Sequence, residues 1–467
     1  MIFSRANFGT YFTSLAIQGC GLFTGIATAR ILGPAARGEL ATVMLWPVIF
    51  SNLGLIGCNW ALAREVASDS EREADRLCSA VAVGFAGASV YFLLGYFLIP
   101  YLLPSDRKNL LFLARLSLLL IPMDILNQIL QAVDHGRMRW WRFNFVRASF
   151  FIFYLILICA IWKMGMAQVR WFVWAFLASQ LFAAVLRLWM QRHSFVRGRL
   201  HLADCRRLLR SGLPYFWATA GNLLTLQIDK ILVIGWMSAE AAGIYAVASA
   251  LGRAQSSLGE ALGITSFALV SNEKNAAGQA RFLTETFRQS TLISVGVGLG
   301  LACLIPFLVV PLFGIKFSQA IGPAVILALA ASLTTSCNIL NQGLRGAGHP
   351  HAGLLSQLLG TGVLALAAAL FMQRFGLMGM AWAVALGACT QVIVLVTAAA
   401  NWLRISPLCF WPFGASDVRT FFRQVAALRL RVLRSPAQTI SESYLINARR
   451  WRLLHASGAK ARLLLRF

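Results

Sequence analysis

Apolar stretches of about 20 residues, each long enough to cross a roughly 30 Å hydrocarbon layer as a helix, recur from Phe8 to beyond Trp402. No other feature constrains the chain so strongly. Inside lipid every backbone N–H and C=O must be paired by the protein itself, which leaves helices or closed barrels. The alternating ten-residue segments of a barrel do not occur, so the chain is expected to be an all-α polytopic membrane protein. Composition agrees: 58% of the 467 residues are hydrophobic and 13% charged, against roughly 25% charged in a soluble domain.

Twelve spans are expected, at about 8–30, 40–63, 77–103, 109–133, 141–162, 168–190, 211–236, 241–270, 289–313, 319–344, 352–373 and 378–402. The first span imitates a secretory signal, with Arg5 ahead of it and Ala27-Thr28-Ala29 at its end. It exceeds the usual apolar core of about 7–15 residues and is read as uncleaved. Alternate connections differ sharply in charge. One set carries Arg64, Arg72, Arg76, Arg137, Arg139, Arg142, then Arg192, Arg197, Arg199, Arg206, Arg207, Arg210, Lys274, Arg281 and Arg345. The other carries Arg30, Arg37, Arg107, Lys108, Lys163, Lys316 and Arg374, with Arg170 at its margin. The positive-inside rule makes the first set cytoplasmic, and an even span count puts both termini there. The net charge of +25 therefore reads as topology beside an anionic leaflet. No RNA- or DNA-binding motif accompanies it, so nucleic acid is not expected as a partner.

The longest basic connection, 191–210, divides the spans into an N-lobe over 1–190 and a C-lobe over 211–402, followed by a basic tail over 403–467. The halves carry a weak internal repeat. Gly33-Pro34-Ala35-Ala36-Arg37-Gly38-Glu39-Leu40-Ala41 lines up with Ser238-Ala239-Glu240-Ala241-Ala242-Gly243-Ile244-Tyr245-Ala246, and Asn127 and Gln131 line up with Asn338 and Gln342. Within the tail, residues 419–434 fit an amphipathic helix lying in the headgroup region, or a disordered basic segment.

Polar residues fall on single helical faces. Span four carries Asp124, Asn127 and Gln131; span five Asn144 and Arg147; span seven Asn222, Thr225, Asp229 and Lys230; span eight Ser249, Arg253, Ser256 and Glu260; span ten Asn338, Asn341, Gln342 and Arg345. They fit hydrogen bonds that hold a bundle together. Charges inside spans, however, favour a hydrated cavity. Arg147, Arg253, Lys230, Asn222, Asn338, Asn341, Gln342 and Arg345 are the candidate substrate-binding residues. Asp124, Asp229 and Glu260 are candidates for a coupling proton or sodium ion, or for charge pairs. Asp229 and Arg253 can meet across adjacent antiparallel spans, either as a permanent pair or as a contact that cargo displaces.

Chemistry-bearing motifs are missing. The chain has no H-E-x-x-H, P-loop lysine motif or G-x-S-x-G. Its nine cysteines include no C-x-x-C pair, and its six histidines lie outside the spans. No metal, cofactor or catalytic residue is expected.

Residues Ala29-Arg30-Ile31-Leu32-Gly33-Pro34 with Arg37-Gly38-Glu39 resemble the polysaccharide repeat-unit flippases of the multidrug/oligosaccharidyl-lipid/polysaccharide (MOP) exporter superfamily. So do Gln227-Ile228-Asp229-Lys230-Ile231-Leu232-Val233-Ile234-Gly235, Gln342-Gly343-Leu344-Arg345-Gly346-Ala347-Gly348 and Phe375-Gly376-Leu377-Met378-Gly379. The resemblance covers about residues 5–400 and leaves the tail unexplained. It implies two six-helix lobes around a central cavity that opens alternately to each side. The implied cargo is a polyprenyl-diphosphate-linked oligosaccharide, moved to the outer leaflet of a bacterial inner membrane alongside glycosyltransferases and a polymerase. Three other readings fit the chain less well. A drug/cation antiporter of the superfamily is expected to carry an acid in its first span, where this chain has none. A peptidoglycan-precursor flippase is expected to add two spans that the tail cannot supply. A membrane-embedded glycan-processing enzyme would need a larger extramembrane loop.

Overall fold

The computed structural model describes residues 5–69, 71–256, 275–347 and 351–410, with Gly259, Gly263, Ser266 and Val270 between. Glu260 and the tail beyond Phe410 lie outside the described residues. Every described element is helical. We number the α-helices α1 (Arg5–Gly54), α2 (Cys58–Ser68), α3 (Glu73–Leu102), α4 (Leu111–Ser117), α5 (Leu120–Gly136), α6 (Trp140–Lys163), α7 (Val169–Arg197), α8 (Leu202–Trp236), α9 (Ala239–Gly252), α10 (Ala276–Phe313), α11 (Ile321–Gly346) and α12 (His351–Leu403).

Crossings and helices do not correspond one to one. Helix α1 makes two crossings, reversing at Gly33, whose φ of 72° and ψ of 179° suit only glycine. Pro34 follows, where its missing N–H costs the new helix nothing. The second crossing bends by 42° at residues 55–57 and continues as α2. Helix α12 likewise turns back at Gly376, with φ 56° and ψ −131°. Short 3-10 turns, Ser105–Leu110 and Ile315–Ala320, lead into the crossings that contain α5 and α11. These paired turns stand at matching places in the two halves, as the internal repeat requires. Among the described residues twelve α-helices are counted.

Several boundaries differ from expectation. The connection at 191–210 is mostly helix: α7 runs to Arg197 and α8 begins at Leu202, leaving only residues 198–201 between them. Basic residues are good helix formers, and charge alone does not end a helix. Asp204 anchors this extension by an ion pair of 2.9 Å to Arg72. The second crossing begins at Pro34 rather than residue 40, and the ninth begins at Ala276 rather than 289.

The charge-rich connections converge at one end of the bundle. Glu73 pairs with Arg137 and Arg139 at 2.8 and 3.2 Å, Arg76 with Asp69 at 2.8 Å, and the Arg199 N–H donates to Asp75 at 2.8 Å. We call this the basic end. The opposite, sparse end gathers the first halves of the repeat. A Cβ on Gly38 would overlap the Ala239 carbonyl, and one on Gly243 would overlap that of Pro34. The second crossing of α1 and helix α9 therefore meet backbone to backbone, as small residues permit between helices in lipid.

Candidate functional site

A cavity of about 540 Å³ lies between the second crossing of α1, α6, α8 and α9, beneath that glycine contact. Three cations reach it: Arg37 from α1, Lys230 from α8 and Arg253 from the end of α9. Helix α9 stops at Gly252, and the chain turns at residues 253–255. That break lets the Arg253 side chain swing toward α8. Its guanidinium donates to Asp229 Oδ2 at 2.5 Å and to the Leu226 carbonyl at 2.9 Å. Asp229 is wholly buried, and its Oδ2 also accepts from the Tyr245 hydroxyl at 2.8 Å. Lys230 donates to Gln227 Oε1 at 2.9 Å. The Nε of Arg37 is buried without a hydrogen-bond partner among the described residues.

The electrostatic consequence is direct. Among the described residues Asp229 is the sole acid that lines or backs this cavity, and Arg253 already engages it. Among the described residues Arg37 and Lys230 form no ion pair with a carboxylate within 4 Å. In a site walled by Leu40, Met44 and Val48, such charge attracts an anion more strongly than it would in water. Tyr154, Gln227 and Ser249 add neutral hydrogen-bonding groups at the wall.

The sequence candidates separate into three places. Lys230 and Arg253 line the cavity and Asp229 stands behind them. The α5 stripe instead packs into a polar seam inside the N-lobe. Asp124 accepts from Ser51 at 2.7 Å, Gln128 at 2.9 Å and Gln180 at 3.3 Å. Asn127 donates to Gln180, Arg187 donates to Gln131 at 3.3 Å, and Gln191 donates to Asp134 at 3.3 Å. Arg147 lies over the Phe143 ring at 5.2 Å, away from the cavity lining. In the C-lobe, Asn341 is buried against Gly353 and Gln342 packs beside Gly263. Asn222 and Asn338 are exposed and Arg345 is half-buried, and none of these five C-lobe residues lines the cavity. Glu260 lies outside the described residues.

Sequence reasoning missed Arg37 as a cavity group, because topology placed it beside the sparse end. It also missed the seam's second half. Gln180, Arg187 and Gln191 follow one another at steps of seven and four, a helical face whose last member falls one residue past the expected span 168–190. Tyr154 and Tyr245 gave no signal, since single tyrosines in apolar helices are ordinary.

A family model described as polysaccharide biosynthesis protein matches residues 4–263, more than half of the chain. The chain belongs to that family. No curated protein matches the sequence. Solved structures share the fold of this polysaccharide biosynthesis protein at low identity. A lipid II flippase MurJ in an inward closed conformation gives a TM-score of 0.69 at 13% identity, covering 90% of this chain and 93% of that one. An inward-facing multidrug resistance MATE family transporter of the MOP superfamily gives 0.68 at 15% identity, covering 82% and 94%. The Vibrio cholerae MATE transporter VcmN in the bent form gives 0.58 at 12% identity, covering 87% and 98%. The polysaccharide biosynthesis family member thus has the MOP exporter fold: an all-α membrane protein of two related six-helix lobes around a central cavity.

Proposed function

We propose that this chain is a flippase for polyprenyl-diphosphate-linked oligosaccharide repeat units, carrying them from the cytoplasmic to the outer leaflet for surface polysaccharide synthesis. The observation that carries this reading is the cation excess in the inter-lobe cavity, where Arg37 and Lys230 have no ion-pair partner among the described residues. An ionised group taken from water into hydrocarbon loses tens of kcal/mol of solvation by the Born estimate. Guanidinium and ammonium groups in a hydrated cavity replace that solvation, and guanidinium matches phosphate oxygens in pairs. Neutral groups such as Gln227 and Ser249 suit sugar hydroxyls, while the polyprenyl chain stays in lipid between the lobes. No bond is made or broken, so the protein acts as a transporter without a catalytic residue or cofactor.

In this reading the basic end faces the cytoplasm of a bacterial inner membrane and both termini lie there. Glycosyltransferases supply the cargo and a polymerase consumes it. A concentrating cycle needs a coupled proton or sodium ion, for which the half-buried Asp124 and the wholly buried Asp229 are the candidates among the described residues.

Reconstitution into liposomes with a fluorescent polyprenyl-diphosphate oligosaccharide tests the proposal, with quenching of the outer leaflet as the readout and each ion gradient imposed in turn. Wild-type protein is expected to equilibrate the lipid between leaflets, and Arg37→Ala with Lys230→Ala to slow this at least about tenfold, the loss of roughly 1.4 kcal/mol of binding. Transport of a cationic dye with no flipping of the lipid would refute the assignment and favour the drug-antiporter reading.

A further inference from the structure

The sparse end holds a set of contacts that the cargo site does not use. Arg30, at the end of the first crossing, donates from Nε to the Leu312 carbonyl at 2.7 Å and from a terminal nitrogen to the Pro311 carbonyl. Arg107, in the turn before α4, donates to the Met237 carbonyl at 2.5 Å and to the Thr42 hydroxyl at 2.9 Å. Both arginines belong to the N-lobe, and the three carbonyls belong to the C-lobe. Each carbonyl sits at the C-terminus of a helix. Pro311 and Leu312 fall in the last turn of α10, and Met237 caps α8.

We propose that Arg30 and Arg107 form a latch that closes the sparse end by capping two C-lobe helices across the lobe interface. The last four carbonyls of a helix lack intrahelical partners and carry its partial negative charge. A guanidinium placed there satisfies the carbonyls and complements the dipole at once. The latch thereby needs no C-lobe acid.

Its location makes it conditional. Arg107 is only 2% exposed in the closed arrangement. Burial of a cation is sustained by the Met237 carbonyl, by Thr42 and by Asp106, which lies 3.5 Å away. If the lobes part at this end, the Met237 contact is lost but water reaches the guanidinium and the freed carbonyl. Hydration then offsets most of the lost bonds, so the latch is reversible where a buried ion pair would be costly to break. The Gly38–Gly243 crossing beside it gives the latch its register, since only a backbone contact brings Met237 within reach.

The latch and the cavity share elements. Arg37 immediately precedes Gly38, and Lys230 lies about two turns before Met237 on α8, roughly 10 Å along the axis. An anion drawn to Arg37 and Lys230 therefore pulls on the two segments that form the seal. The inference rests on alternating access by the lobes and is independent of which anion is carried.

Hydrogen–deuterium exchange of the full chain in lipid nanodiscs, without cargo, tests it. Arg107→Gln and Arg30→Gln should each speed exchange of amides over 34–45 and 239–247 by about 3- to 30-fold, the range expected for a cation at a helix C-terminus. Arg107→Lys should restore part of the protection, and Gly38→Ala should speed the same segments without removing a charge. Segment 202–212 at the basic end should not speed up. Unchanged exchange at the sparse end, or equal acceleration at both ends, would overturn the latch. Should Arg107→Gln fail to accumulate, the exposed Arg30 supplies the decisive variant, because its side chain supports no buried core. Lipid flipping measured separately reports on the cargo reading, so the two proposals fail independently.

Discussion

Replacing Asp229 by Asn removes the charge from the most buried ionic contact of the C-lobe while keeping a hydrogen-bond acceptor of the same shape. Asp229 has no exposed surface, and the Arg253 side chain retains 24%. Arg253 would keep the Leu226 carbonyl at 2.9 Å, and Tyr245 would still find an amide oxygen. Loss of one partner from a buried pair costs about 3–5 kcal/mol. Access of cavity water to Arg253 and the retained amide bring the expected loss down to about 2–3 kcal/mol. Arg253→Gln should cost a similar amount, by leaving the Asp229 carboxylate buried with Tyr245 as its remaining donor. Unfolding followed by tryptophan fluorescence in bicelles gives both values, and the double mutant gives their coupling. A static pair predicts a coupling of about 2 kcal/mol, with transport falling in step with stability. A contact that cargo displaces predicts a transport loss well beyond the stability loss in Asp229→Asn, abolished when Arg253 is also changed. A coupling below about 0.5 kcal/mol would refute the reasoning, since residues in contact do not behave additively.

The remaining predictions concern other elements. Gly57→Ala should destabilise by about 1–3 kcal/mol, because φ there is 69° and a Cβ would overlap the Gly212 carbonyl; thermal unfolding in detergent checks it, and an unchanged midpoint would contradict the close approach of α2 and α8. Tyr245→Phe should lower stability by about 1 kcal/mol and leave folding intact, since Asp229 keeps Arg253. Asp124→Asn retains acceptance from Ser51, so membrane abundance should stay near wild type while Asp124→Leu, which removes the acceptor shared by Ser51, Gln128 and Gln180, should reduce it several-fold. A reporter fused after Arg404 should be active only in its cytoplasmic form; periplasmic activity would overturn the span count.

The fold was legible because lipid allows few alternatives. Once apolar runs of spanning length recur, helices follow, and the spacing of short connections fixes how many times the chain crosses. Boundaries were less legible where hydropathy and helicity part company. Residues 202–210 are too basic for hydrocarbon yet helical, because an arginine at the interface extends a helix as readily as it ends a span. Pro34 and Gly33 carried the turn between the first crossings, but polarity placed the start of the second crossing several residues late.

The site was legible by half, and the division has a physical cause. A polar stripe shows that a helix face avoids lipid, but not whether it meets water or another stripe. In the N-lobe the stripe from Asp124 to Asp134 meets Gln180, Arg187 and Gln191, so its hydrogen bonds are spent within the bundle. In the C-lobe the partner of Asp229 is a single arginine freed by a helix break, and the surplus charge of Lys230 remains turned to the cavity. The distinguishing quantity is the balance of donors and acceptors across a contact, which exists only once two helices are set side by side. Arg37 shows the same limit from the other direction. In the sequence it reads as a residue of the connection between the first two spans, yet the bare Gly38–Gly243 crossing holds its helix against the C-lobe, where the cation lines the cavity. Its neighbour Gly38 is thus the residue that converts a surface arginine into a cavity arginine. A larger residue at position 38 would change the charge facing the cavity as well as the packing of the lobes.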